Sequence, residues 1–457
     1  CCSVISEVSP WRGTSALLQV GSILRLNPTP IADGMAANDV EGNVMSELLD
    51  AKASDPVARG LMVGFPPGPD RLLRVADGTS RGFPNHRWSF SHQRELGPSA
   101  AIRRGPGAAV ALSYGLRDDL DAVGFTTQDG QAMTWGQSVD VNFTDGLIVL
   151  HRGKVVYETY RGALAPHIPH HAMSVTKSFT GLLAATLAHE GVLDPGAPVV
   201  NWLPEMAGTA YGDATLRHVM DMTTGVRYSE VYTDPKAEVQ AYAAAAGLWS
   251  PPNPTGPDNI IDFLRTLAKE GEHGQAFAYK TCNTEVLSWI VQRAGAAPLA
   301  QQISERIWQR LGVEEDAYLM VDRTGMAIGG AALNTTLRDL ARFGEMMRNG
   351  GLANGQQIVP AVVVADIAGG ADRDHFAKAD YVTLPGWSYR NQWWVSHNRF
   401  GAYTARGIHG QACYVAPSAE MVIARYASHP TAANGNGPLD RVSLPAYEAL
   451  AEHLRRS

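Results

Sequence analysis

The sequence predicts an α+β fold, with one antiparallel sheet built from distant segments, flanked by helices and carrying an inserted, mainly helical subdomain. Two observations carry this expectation. Runs of β-type apolar residues occur near residue 147 and again beyond residue 392. The long stretch between them places apolar residues at helical spacing instead.

In chain order, residues 1–80 read as a loop-rich N-terminal extension, high in Gly, Pro and Ala, with one helix over 44–53. Phe65-Pro66-Pro67-Gly68-Pro69 reads as an extended, proline-fixed segment. The main domain is expected over 81–457. In it Leu147-Ile148-Val149-Leu150 and Val155-Val156-Tyr157-Glu158, separated by Arg152-Gly153-Lys154, read as two strands joined by a tight turn. A loop with His167, His170 and His171 then leads into a helix over 174–190, closed by Gly191. The helical insertion is expected at about 193–330, and a further helix over 336–349 ends at Gly350-Gly351. Strand character returns at 392–395, 414–415 and 421–426, and an amphipathic helix over 445–455 closes the chain.

Composition narrows the function classes. With 45% hydrophobic and 18% charged residues in 457, the chain is an ordinary globular protein. A net charge of −7 gives no electrostatic reason to expect nucleic acid or an anionic membrane as partner, so a small molecule fits better. No apolar run approaches the ~20 residues needed to span a bilayer. The four cysteines, Cys1, Cys2, Cys282 and Cys413, are too few and scattered for a disulfide framework. Cys282 is expected as a small buried hydrophobe. The chain opens on Cys1-Cys2 with its first methionine at Met35. The expectation is a cytoplasmic protein, with an exported lipoprotein processed at Cys1 as the alternative. A homodimer stays open.

The chemistry starts at Met173-Ser174-Val175-Thr176-Lys177. A serine hydroxyl is a weak nucleophile until a base takes its proton, and an unprotonated amine held close can do so. At a helix start, Ser174 and Lys177 share one face, and the positive end of the helix disfavours the ammonium. Alone, the pair reads as a capping serine followed by a solvated lysine. Taken alone, Tyr279 in Tyr279-Lys280-Thr281 reads as a packed aromatic. The three histidines lack acidic or cysteine partners at ligand spacing and read as a loop cluster, with no metal expected. His409 is expected to pack beside its strand. G-x-S-x-G, H-E-x-x-H and phosphate-loop patterns are all missing.

Other phrases surround these residues. Leu193-Asp194-Pro195-Gly196, 215–225 and Leu337-Arg338-Asp339-Leu340 accompany Ser174 and Lys177, and together they resemble the β-lactamase-like S-x-x-K serine hydrolases, which share a fold with penicillin-binding proteins. Asn85-His86-Arg87-Trp88, Asn283-Thr284-Glu285-Val286-Leu287, Gln392-Trp393-Trp394 and Gly407-Ile408-His409-Gly410 resemble the 6-aminohexanoate-dimer hydrolases within that superfamily. The resemblance runs from about 81 to 456.

It implies a β-lactamase/transpeptidase-like fold and an acyl-enzyme on Ser174, with Lys177 and Tyr279 as proton-handling partners and no cofactor. It also implies an oxyanion hole from the backbone N–H groups of Ser174 and Ile408. Thr281 takes the polar third place of the tyrosine motif. Tyr232 matches a tyrosine that contacts the amide nitrogen, and Trp394 an aromatic that lines the pocket. Ala243 and Gly330 stand where the nylon-oligomer enzymes have an acidic residue and an asparagine. The third motif of β-lactamases, Lys-Thr-Gly, is replaced by Ala405-Arg406-Gly407. The expected substrate is therefore a small ester or linear amide. The rivals are a class C-type β-lactamase or D-amino-acid peptidase, and a non-catalytic binding protein on the same fold.

Overall fold

The strand β3 (Thr144–His151) is buried along its whole length, which requires cover on both faces. Its alternation divides the two covers. Ile148 and Leu150 face one hydrophobic core with Phe179 and Phe343, while Leu147 and Val149 face another with Tyr447 and Leu450. In the computed structural model these are the two sides of an eight-stranded sheet, and residues 49–248, 256–433 and 437–457 are described.

The sheet joins the two ends of the domain. The strands are β2 (Ser113–Tyr114), β3, β4 (Lys154–Tyr160), β8 (Ser388–Arg390), β9 (Trp393–Val395), β10 (Tyr403–Gly407), β11 (Gln411–Ala416) and β12 (Met421–Ala427). Their spatial order is β8-β9-β10-β11-β12-β3-β4-β2. The seam between the ends is the antiparallel pair β12–β3, with Ala424 opposite Ile148 and Val422 opposite Leu150. Every pair is antiparallel except the edge strand β2, which runs parallel to β4. A second sheet of four strands orders β1 (Ser99–Ile102), β6 (Ala317–Met320), β7 (Leu333–Thr335) and β5 (His170–His171).

One face of the large sheet carries α1 (Val175–His189) and α7 (Leu337–Arg348), and the other carries α8 (Asp440–Arg455). Buried from Val175 to Leu187, α1 is a central helix, so its small residues serve close packing. A Cβ on Gly181 would lie 2.2 Å from the Asn391 carbonyl. Gly191, at φ +76°, ends the segment as expected. Between the sheet's two halves lie α2 (Leu216–Met220), α3 (Glu238–Ala245), α4 (Ile260–Thr266), α5 (Thr281–Ala294) and α6 (Leu299–Arg306). A Thr215 capping box opens α2, with its side chain accepting from the His218 N–H.

Three local expectations differ from the structure. The helix expected over 44–53 lies partly outside the described residues, and 51–54 are turn. The proline run bends instead of extending, because Gly64 (φ +124°) bridges to Pro67. The last helix begins at Asp440, so Pro445 lies inside it. Proline removes the N–H that would bond the Arg441 carbonyl, and the Gln128 N–H takes that carbonyl at 2.9 Å instead.

Residues 49–457 form one unit. A buried ion pair ties its N-terminal part to the sheet, with Arg87 Nη2 3.2 Å from Asp145 on β3. Arg87 Nη1 also donates to the Ala51 carbonyl and to Ser54 Oγ. No helix among the described residues is long and apolar enough to cross a membrane.

Candidate active site

The chain turns sharply into α1. Met173 holds φ +49°, and the N–H groups of Val175, Thr176 and Lys177 bond back to residues 172, 173 and 174. Ser174 stands at the cap position, yet its side chain makes no capping bond, so its hydroxyl is available for other partners. One turn on, Lys177 is 1% exposed. Its Nζ lies 2.9 Å from Ser174 Oγ, 2.9 Å from Thr281 Oγ1 and 2.7 Å from the Gly330 carbonyl. Burial lowers its pKa to about 8, against the opposing pull of Glu230 and Glu285. Tyr279 closes the group: its ring centre is 5.0 Å from Lys177 Nζ and its hydroxyl is hydrogen-bonded with Ser174. Burial pushes that phenol well above its ordinary value, so it keeps its proton.

Two carboxylates complete the surroundings of Lys177, and neither was read from the sequence. Glu230 accepts from Thr281 Oγ1 (2.5 Å), the Thr281 N–H (3.1 Å) and the Tyr232 hydroxyl (3.0 Å). Glu285 accepts from the N–H groups of Gly329 and Gly330, each at 2.9 Å, and from the Tyr242 hydroxyl at 2.6 Å. Burial raises Glu230 above the usual carboxylate value and pushes Glu285 up to about 7. A signal for Glu285 did exist, since it is the one acidic residue in the apolar-periodic run 285–293. Nothing local marks Glu230.

Gly330 holds the lysine through its carbonyl. A Cβ at that position would meet Glu285 Oε1 and Thr281 Cγ2, both at 2.8 Å, so the site has no room for the asparagine of the nylon-oligomer enzymes. Gly407 is a second close approach. Its Cβ would lie 2.7 Å from the Ala172 carbonyl and 3.0 Å from the Ser174 nitrogen, so β10 runs directly against the serine's turn. Ile408 follows immediately. Next to it, the His409 Nδ1–H donates to the His429 carbonyl at 2.6 Å, and the ring packs on Phe90 and His86.

Ser174 opens into a cavity of about 560 Å³. Tyr232, Ala243, Thr281 and Ile408 line it, with Val239, Ala246, Met320 and Ile328 as apolar wall, and no carboxylate occurs among the described lining residues. Trp394 and Gly330 are not part of this lining. Trp394 packs on Tyr279, ring centres 5.1 Å apart, and Arg406 lies 5.3 Å from the Trp394 ring with its Nη2 on Asp440. The segment of the Asn85-His86-Arg87-Trp88 phrase supplies another wall through His86, Ser89 and Phe90.

The histidines of the approach loop separate. His170 is fully buried, stacks on Tyr426 and bonds Asp145, whereas the His171 Nε2–H donates to the Ala331 carbonyl at 2.6 Å. No group of three or more His, Cys, Asp or Glu side chains among the described residues is arranged to hold a metal. Cys282 is fully buried, and burial pushes its thiol up to about 12, so it stays protonated and unreactive.

Comparison with known proteins agrees with this architecture. The model of the beta-lactamase family matches residues 144–446. The 6-aminohexanoate-dimer hydrolase of Paenarthrobacter ureafaciens is 35% identical over 348 residues, 76% of this chain and 86% of that protein. A Bacillus anthracis structure, provisionally assigned to the same hydrolase type, superposes with a TM-score of 0.76 at 31% identity, over 85% of this chain and 99% of that one. A penicillin-binding protein homologue from Caulobacter crescentus shares the fold alone, with a TM-score of 0.54 at 16% identity, over 74% of this chain and 99% of that one. A family match spanning most of the domain and a relative similar along most of both chains lead to one conclusion: this chain belongs to the beta-lactamase family, as a hydrolase related to 6-aminohexanoate-dimer hydrolase.

Proposed function

We propose that the protein hydrolyses carboxylic esters and linear amides through an acyl-enzyme on Ser174. The observation that carries this reading is Lys177 Nζ at 2.9 Å from Ser174 Oγ, in a buried setting that lowers its pKa to about 8. A near-neutral base pKa suits proton transfer at ordinary pH. Neutral Lys177 takes the Ser174 proton as the oxygen attacks the carbonyl carbon. The developing oxyanion turns toward the N–H groups of Ser174 and Ile408, whose donors act on charge present only in the transition state. Tyr279, a neutral phenol bonded with Ser174, passes a proton to the departing alcohol or amine; water then releases the acid, its proton restoring Tyr279 while the Lys177 ammonium returns a proton to Ser174.

The cavity argues against a cationic substrate group. With Ala243 on its wall and no carboxylate in its described lining, an ammonium group finds no charged anchor there. Esters are therefore cleaved readily and the 6-aminohexanoate dimer poorly. Arg406-Gly407 in place of the third-motif threonine and glycine, with Ala405 in place of its lysine, argues against a β-lactamase. Mass spectrometry after brief reaction with p-nitrophenyl acetate tests the reading: an acyl group on Ser174 is expected, and Ser174→Ala abolishes turnover without loss of fold. An adduct on another residue, such as Cys282, would sink it.

A further inference from the structure

We infer that Glu230 is a positioning residue that, by holding the Thr281 hydroxyl hydrogen, turns the free electron pair of neutral Lys177 toward Ser174. This rests on the acyl-enzyme reading above and goes beyond it.

The hydrogens around Lys177 can be assigned one by one. A neutral amine has two N–H donors and one electron pair, and Lys177 Nζ has three polar neighbours at 2.7–2.9 Å. The Gly330 carbonyl has no hydrogen, so it takes one N–H. The Thr281 hydroxyl has one hydrogen, which Glu230 Oε1 receives at 2.5 Å. Thr281 therefore accepts from Lys177 and takes the second N–H. The electron pair is left facing Ser174 Oγ, where a base is needed.

Without an anionic acceptor at 230, the Thr281 hydroxyl can rotate and donate to Lys177. The electron pair is then occupied, and the serine proton has nowhere to go. Three hydrogen bonds, two from Thr281 and one from the Tyr232 hydroxyl, favour the anionic form of Glu230 against the burial that raises its pKa. The groups facing it are Lys177, the Cys282 thiol and the phenols of Tyr228, Tyr232, Tyr242, Tyr279, Tyr381 and Tyr389. Lys177 in turn faces Glu285, which is held by the Gly329 and Gly330 amides, and the protonated thiol of Cys282.

The test is the rate of Ser174 acylation by p-nitrophenyl acetate across pH, with the adduct located by mass spectrometry. Glu230→Gln should lower the plateau rate on the order of a hundredfold, the scale of a misdirected proton acceptor. Its acid limb should also move to lower pH, because the lost negative charge no longer favours the Lys177 ammonium. A merely loosened site lowers the plateau without that displacement. Thr281→Val should reproduce the loss, Thr281→Ser should recover most of the rate, and Glu230→Gln with Thr281→Val should fall little further than either alone. The threonine variants decide the matter if Glu230→Gln does not fold. Acylation of Ser174 at the wild-type rate in Glu230→Gln, or multiplicative losses in the double variant, would overturn the inference while leaving the acyl-enzyme intact. No adduct on Ser174 in the wild type would remove both.

Discussion

Gly407→Ala isolates the contribution of the strand beside the nucleophile. The backbone there is ordinary β conformation (φ −136°, ψ 149°), so alanine brings no torsional cost and acts by bulk alone. Its Cβ would stand 2.7 Å from the Ala172 carbonyl, 2.9 Å from Met173 Cβ and 3.0 Å from the Ser174 nitrogen. The turn cannot yield easily, because the Ala172 N–H is fixed on the Leu333 carbonyl at 2.8 Å. The strand must move instead, taking the Ile408 N–H with it. Losing one oxyanion donor costs about 3 kcal/mol, which at about 1.4 kcal/mol per decade is roughly a hundredfold fall in kcat. The KM for p-nitrophenyl acetate should change far less, since the donor acts mainly in the transition state. The added methyl should also cost about 1–3 kcal/mol of stability, read by urea denaturation. A kcat close to the wild-type value in a folded Gly407→Ala protein would refute the assignment of the Ile408 amide.

Three further outcomes are expected. Lys177→Ala with Tyr279→Phe should lose little more activity than the worse single variant, whereas fully multiplicative losses would separate the two into different steps. Ala243→Asp should raise hydrolysis of the 6-aminohexanoate dimer by about ten- to hundredfold relative to esters, the value of one charge-assisted contact; an unchanged ratio of the two rates would show that no substrate ammonium reaches position 243. Buried His86 is held well below its usual pKa and His171 at about 4, both by burial. Because the unfolded chain protonates near pH 6.5 and the folded chain does not, stability should fall as pH drops from about 6.5 to 4, by about 3 kcal/mol for His171 alone. Urea midpoints that stay level over this window would contradict that.

The sequence by itself pointed to one sheet built from distant segments, to the helix after Ser174 and to Ser174, Lys177 and Tyr279 as candidate site residues. The first two are legible because a continuous apolar run, as in Leu147-Ile148-Val149-Leu150, and a long segment rich in small residues closed by a glycine, as in 174–190 with Gly191, are local signals. The three candidates were legible because their residue types are chemically restricted and the surrounding phrases resemble one family. Tertiary structure alone decided how Lys177 is surrounded. Glu230 reaches Thr281 across 51 residues, and the Gly330 carbonyl reaches Lys177 across 153. Neither separation leaves any periodic trace in the chain. Gly330 illustrates the difference most clearly. In sequence it reads as a missing asparagine, while in space its lack of a side chain lets Glu285 and Thr281 close around the lysine. Hydrogen-bond direction and steric room depend on distances between remote backbones, and only the folded chain sets those distances.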